Sequence, residues 1–163
     1  MKKNKLKAQI VQEANSVRLS PSEKKIFDLV ERDAANTESV LKKNPYVILK
    51  YFQDSWECFS DWEKDELREF SSFLKHLSKY NWQQIYASGS NIPKHGLAYT
   101  KYESSGASDG ARAHLKKVGE QISEDIAFFE LRVNQNTLRV HGFQSQSAFF
   151  LVLLDRSHSV LPM

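Results

Sequence analysis

Towards the C-terminal end of the chain the apolar residues fall on every second position. Phe129, Leu131 and Val133 alternate with Glu130 and Arg132, and Leu138 and Val140 alternate with Arg139 and His141. A period of two belongs to strands with one buried face, so residues 125–160 are predicted to form a three-strand meander. Between the first two segments lies Asn134-Gln135-Asn136-Thr137, and closing the hairpin symmetrically about Gln135 and Asn136 pairs Val133 with Leu138. The same ladder sets Arg132 opposite Arg139 and Glu130 opposite His141. The third segment, Ala148 to Leu154, is apolar at consecutive positions from Phe149, the pattern of a strand covered on both faces.

Upstream the period becomes helical. Leu6, Ile10, Ala14 and Val17 predict a short amphipathic helix over 5–17. Ser20-Pro21-Ser22-Glu23 combines a capping serine, a proline at the first helical position and a glutamate three residues after the cap, which starts a second helix. A further helix is expected through Val47, Ile48, Tyr51 and Phe52. Ser60 to Glu63 repeats the capping pattern and opens the longest helix, 61–80, with Trp62, Leu67, Phe70, Phe73, Leu74 and Leu77 on one face. From Ala87 to Ala111 Gly, Ser, Asn and Pro prevail. Within this stretch Gly96 to Tyr99 reads as a brief strand and Glu103 to Ala111 as a loop, before a short helix over 114–122. The fold class is therefore α+β, with helices packed on a small antiparallel sheet. Roles divide near Gln53: residues 1–53 form a helical extension and 54–163 the α+β part, and both are short enough to share one core.

The chain has 163 residues, 40% hydrophobic and 26% charged, with a formal net charge of +3. That is the composition of a globular protein and excludes a disordered tail. The mild positive charge permits a nucleic-acid partner without demanding one. The lysine-rich start never reaches the apolar segment of a signal peptide, and no run approaches a membrane span. The expectation is a soluble, cytoplasmic protein with no membrane partner. The single cysteine, Cys58, excludes an internal disulfide and reads as a small buried hydrophobe. Neither CxxC nor HExxH occurs, so no metal or cofactor is expected.

The helix tract WEKDELREFSSFLKHL, the turn Trp82-Gln83-Gln84-Ile85, the segment Lys94-His95-Gly96-Leu97, and then FFELRV, LRVHGF and FFLVLLDRSHSV together resemble the RelE/ParE superfamily of bacterial toxins, over about residues 54–160. The resemblance implies helices on one side of a small twisted sheet. In the RelE branch it implies a metal-independent endoribonuclease, an mRNA interferase of a toxin-antitoxin system acting at the ribosomal decoding site. Partners implied are RNA or the ribosome and a cognate antitoxin. By the family's pattern Arg139 and Arg132 occupy the arginine positions on the paired strands, and Lys94 and Lys101 the basic positions between helix and sheet. The chain departs from that pattern in three places. Arg156 and His158 are the only candidates for the basic or aromatic residue near the last strand. The polar tract from Tyr102 to Ala113 is long, and residues 1–53 have no counterpart in a minimal toxin.

Metal-free RNA cleavage requires a base for the ribose 2′-hydroxyl, positive charge at the phosphorane and an acid for the leaving oxygen. Histidine suits the proton transfers and arginine the charge. His141 or His95 is accordingly assigned the acid/base role, Arg132 and Arg139 the phosphate role, and Lys94, Lys101, Arg156 and His158 contacts to nucleic acid. Each has a plainer alternative. His141 can simply hydrogen-bond Glu130 across the hairpin, His95 can be a turn residue, and in Asp155-Arg156-Ser157-His158 the aspartate can accept from Ser157 to close a turn. The enzymatic reading requires an open basic surface of Arg132, Arg139, Lys94 and His141. A second reading is a non-enzymatic binding protein on the same scaffold, either a DNA gyrase-type inhibitor or a phage or host accessory protein that docks a protein partner. A third, a DNA-binding helix-turn-helix over Leu19 to Pro45, rests on a short recognition segment and ranks last.

Overall fold

In the computed structural model the alternating segments pair as strands, and the residues described are 40–89, 96–123 and 125–162. Among them are five strands, β1 (Tyr46–Ile48), β2 (Thr100–Tyr102), β3 (Phe128–Arg132), β4 (Arg139–Ser145) and β5 (Ala148–Asp155), and three α-helices, α1 (Lys64–Leu77), α2 (Trp82–Tyr86) and α3 (Asp109–Ile122). The chain divides into units Met1–Thr37 and Glu38–Met163, and everything described belongs to the second. The helices expected over 5–17 and from Ser20, and nearly all of the helix-turn-helix reading, lie outside the described residues.

The hairpin register follows the sequence pattern. Arg132 pairs with Arg139, Leu131 with Val140 and Glu130 with His141, and the Val133 amide donates to the Leu138 carbonyl at 3.0 Å. The strand order is β1-β5-β4-β3-β2, with every neighbour antiparallel except β1, which runs parallel to β5. The sheet is thus mixed rather than antiparallel throughout. Its parallel edge comes from the segment expected to be a helix through Val47 and Ile48. Pro45 disfavours helix for the residue before it, and Tyr46, Val47 and Ile48 are residues that fit a pleated surface. The strand expected at Gly96 to Tyr99 lies slightly later, at β2.

Both faces of the sheet are covered. On one, Phe70, Phe73 and Leu77 of α1 and Trp82 and Ile85 of α2 pack on Phe129, Leu131, Val140, Phe149 and Leu151. On the other, Ala111, Leu115 and Val118 of α3 pack on Phe128, Phe143, Val152 and Leu153. The apolar run of β5 serves both faces through a bulge. Gly142 pairs with Leu151 and His141 with Leu153, which leaves Val152 as an extra residue whose carbonyl accepts the Gln53 amide at 2.9 Å.

Three local expectations change. The capping pattern at Ser60 makes only a 3-10 turn, Phe59–Asp61, and the capping box belongs to Glu63, whose amide donates to the Glu66 carboxylate at 2.7 Å. The tract Glu103 to Ala111 is ordered rather than loop throughout, because its small residues allow close packing. Ala107 and Ala111 are buried, the Ser108 amide donates to the Val160 carbonyl at 2.8 Å, and a Cβ on Gly110 would stand 2.9 Å from the Trp56 ring. His114 is half-buried against Trp56 with Nδ1 3.2 Å from the Gln53 side-chain oxygen. Cys58 is partly exposed. Among the described residues no helix is long and apolar enough to cross a membrane.

The inner helix contact gives a direct test. Trp82 is fully buried and its indole N–H donates to the Ser147 carbonyl at 3.0 Å. Trp82→Phe leaves that carbonyl without its donor and removes ring volume, an expected loss of about 1–3 kcal/mol. The urea midpoint should fall with the slope unchanged.

Candidate functional site

The polar face of the hairpin begins with its turn. The Asn134 side-chain oxygen accepts the amides of Asn136 at 3.0 Å and Leu138 at 3.1 Å, which fixes the loop and sets the arginine pair at its base. The two arginines have different fates. Arg139 folds inward, only 7% exposed, with Nη1 donating to the Leu138 carbonyl at 2.9 Å and Nε 3.5 Å from Glu130 Oε1. Burial first, and then the charge of Arg132, pulls its pKa below the ordinary value, against the pull of Glu130 and Asp155. Arg132 remains partly exposed, and its Nε is buried with no hydrogen-bond partner.

Deeper along the same face lies a sealed polar network. His141 has no exposed surface. Its Nδ1 is 3.1 Å from the Tyr102 hydroxyl, and its Nε2 is 3.2 Å from Asp155 Oδ2 and 3.7 Å from Glu130 Oε2. Asp155, also buried, accepts the Ser159 amide at 2.7 Å and the Val160 amide at 3.0 Å. Burial pushes its carboxyl up, but the His141, Val160 and Ser159 hydrogen bonds outweigh this and hold it below the usual carboxylate value. Tyr102 is pushed well above the ordinary phenol value, by burial first and then by Glu130 and Asp155, so it stays a neutral hydroxyl. At the rim His158, in the left-handed region with φ 56°, brings Nε2 to 3.2 Å from Glu130 Oε2.

The open basic surface expected of Arg132, Arg139, Lys94 and His141 is therefore not what the described residues form. Arg139 and His141 are internal, because Glu130 draws the guanidinium inward and Asp155 and Tyr102 hold the imidazole. Lys94 and His95 lie outside the described residues. Lys101 is exposed in β2, opposite Phe129. Arg156 is bound to the start of α1, with Nε 2.8 Å from Glu66 Oε1 and Nη1 donating to the Asp61 carbonyl at 3.2 Å. Asp155 closes the last turn through Ser159 and Val160 rather than through Ser157.

Beside the hairpin is an open cleft of about 550 Å³, walled by Arg132 to Asn136 on one side and by Arg68, Phe73 and His76 of α1 on the other. Arg68 is paired with Asp65 at 3.1 Å, and Glu69 accepts from Asn134 at 2.8 Å. Among the described residues Arg132 is the one arginine with neither a carboxylate partner nor a side-chain hydrogen bond, since Arg112, Arg139 and Arg156 each have an acid beside them.

The part the sequence left unassigned is the convergence of Tyr102, Glu130 and Asp155 on His141. Glu130 was visible as a cross-strand partner. Asp155 had one signal, an acid ending an apolar strand, and Tyr102 had none.

These features define an α+β protein with a five-stranded mixed sheet, a buried acid-imidazole network and a cleft edged by an unpaired arginine. The chain matches no protein-family model, and neither a curated protein nor a solved structure matches it.

Proposed function

We propose that the Glu38–Met163 unit is an RNA-binding, toxin-like protein on a RelE/ParE-like scaffold, and that Arg132 makes its contact with the phosphodiester backbone. The observation that carries the reading is the unpaired Arg132 at the wall of an open cleft. A guanidinium offers forked donors matched to phosphate, and no carboxylate of the described residues competes for it. Metal-independent cleavage of the bound strand, as an mRNA interferase, needs a proton-transfer group at the same place. His76 on the opposite wall fills that role in place of the buried His141.

In a fluorescence anisotropy titration with a labelled single-stranded RNA, Arg132→Ala is expected to weaken binding by about 10-fold and to lower the slope of log K against log salt by about one. Arg112→Ala, which removes the same charge from α3, is expected to change both far less. Equal affinities of wild type and Arg132→Ala would remove Arg132 from the interface. Induced expression with analysis of total RNA tests the chemistry, since an interferase leaves cut transcripts and the His76→Ala variant leaves them whole.

The second reading, a non-enzymatic binding protein on the same scaffold, is favoured by the burial of Arg139 and His141, which removes two of the groups assigned to catalysis. It predicts intact RNA under induced expression, and growth arrest without cleavage would point to a gyrase-type protein target.

A further inference from the structure

Glu130, His141 and Asp155 sit on three adjacent strands, and their donor atoms all lie within 4.8 Å of one another. Two features distinguish this group from an ordinary buried ion pair. Glu130 Oε2 is inaccessible to water and accepts no hydrogen bond of acceptable geometry, although His158 Nε2 is 3.2 Å away and His141 Nε2 3.7 Å away. Two imidazole nitrogens thus approach a carboxylate oxygen without donating to it. His158 also reaches this position from a backbone conformation that non-glycine residues rarely adopt.

We propose that this cluster is a binding site for a divalent transition-metal ion of the zinc type, with His141 Nε2, Asp155 Oδ2 and Glu130 Oε2 as ligands and His158 Nε2 supplying the fourth from the rim. Metal–ligand distances of about 2.0–2.1 Å in a tetrahedron place neighbouring donor atoms about 3.3–3.4 Å apart. His141 to Asp155 and His158 to Glu130, both 3.2 Å, and His141 to Glu130, 3.7 Å, lie near that value, and the donor atoms of Glu130, His141 and Asp155 are all within 4.8 Å of one another, so the carboxylates need close only slightly on an ion. Mixed imidazole and carboxylate donors suit zinc and similar ions.

The surroundings agree. A ligating imidazole usually donates its other ring N–H to a nearby acceptor, and His141 Nδ1 faces the Tyr102 hydroxyl at 3.1 Å. Arg139 engages Glu130 through Oε1 and leaves Oε2 for the ion. The Ser159 amide holds Asp155 through Oδ1. No sequence motif announces the site, because its ligands come from three strands and a turn. It lies in the interior polar network and stands independently of the RNA contact.

The competitor for the site is a proton on imidazole, since binding requires neutral histidine. The groups facing the ion are Tyr102 of β2, Glu130 of β3, Arg139 and His141 of β4, Asp155 of β5 and His158 after it. Metal uptake should therefore weaken as the medium is acidified.

The test uses the full chain on a Cys58→Ser background, so that no thiolate contributes, stripped with chelator and titrated calorimetrically with zinc chloride. The expected result is one ion per chain and a raised Tm. His158→Ala, at the partly exposed rim, should weaken binding by at least about 10-fold, and Glu130→Gln should abolish the rise in Tm. Cobalt titration of the Cys58→Ser chain supplies a reading that needs no further variant, since a four-coordinate nitrogen and oxygen site gives intense visible absorption. Failure to bind either ion overturns the proposal. So does binding that is the same in folded His158→Ala and Glu130→Gln chains, which would place the ion on surface imidazoles.

Discussion

Asp155→Ala is expected to destabilise the protein by about 3–5 kcal/mol, the range for removing one partner of a buried pair. Asp155 is 1% exposed, and its two oxygens receive His141 Nε2, the Val160 amide, and the Ser159 amide and hydroxyl. Without the carboxylate two amides lose their acceptor, and His141 Nε2 is left with Glu130, at 3.7 Å, as its nearest acid. Asp155→Asn keeps the volume but must turn its amide nitrogen towards a donor, so its loss should be smaller. The pH dependence identifies the cause. The folded carboxyl lies below its usual value, so its contribution is fully present above the unfolded value of about 3.9 and is lost as pH falls through the lower folded value. Urea midpoints in metal-free buffer should therefore show wild type and Asp155→Ala far apart at neutral pH and converging below about pH 4. A gap that stays constant down to pH 3 would show that shape, not charge, makes Asp155 important.

This network also marks how far the sequence could be read. Pairing Val133 with Leu138 was enough to set Arg132 opposite Arg139 and Glu130 opposite His141, because a hairpin register is local and side chains alternate strictly. The same alternation says which residues share a face and nothing about what covers that face. Arg139 and His141 look available for chemistry in the sequence because the groups that enclose them, Tyr102 of β2 and Asp155 of β5, reach them only through strand pairing, and the first turn of α3 lies in a tract of Gly, Ser and Ala whose composition suggests loop. Its small residues instead allow close approach to Trp56. The strand β1 was misread for a related reason. Val47, Ile48, Tyr51 and Phe52 fit a helical spacing, and the strand propensity of Tyr46 to Ile48 decides the outcome only once the edge of β5, far along the chain, is there to pair with it. Asp155 reads in the sequence only as a turn acceptor, because its partner His141 on β4 comes to it through strand pairing.

Gly142→Ala should be the most damaging small substitution in the unit. A Cβ at this position would overlap the Phe150 carbonyl oxygen and come within 2.7 Å of the Phe149 ring. The carbonyl cannot yield easily, because Phe150 is paired with Phe143 in the β4–β5 ladder. The ring cannot either, because Phe149 is fully buried and stacked on Phe129 at 5.4 Å. The register shift between His141 and Gly142 places the glycine at the bulge, where a side chain would meet the neighbouring strand. Overpacking a rigid site of this kind is expected to cost about 3 kcal/mol or more. It should appear as a large fall in urea midpoint or as insoluble chain. Gly119→Ala is the contrasting case, since that glycine lies inside α3 with nothing within 4 Å of an added Cβ. There the same methyl group should stabilise by about 0.5–1 kcal/mol through helix propensity. Comparing the two midpoints separates backbone entropy from steric overlap. A tolerated Gly142→Ala would mean that the β4–β5 bulge can shift its register, and with it the spacing of His141 from Asp155.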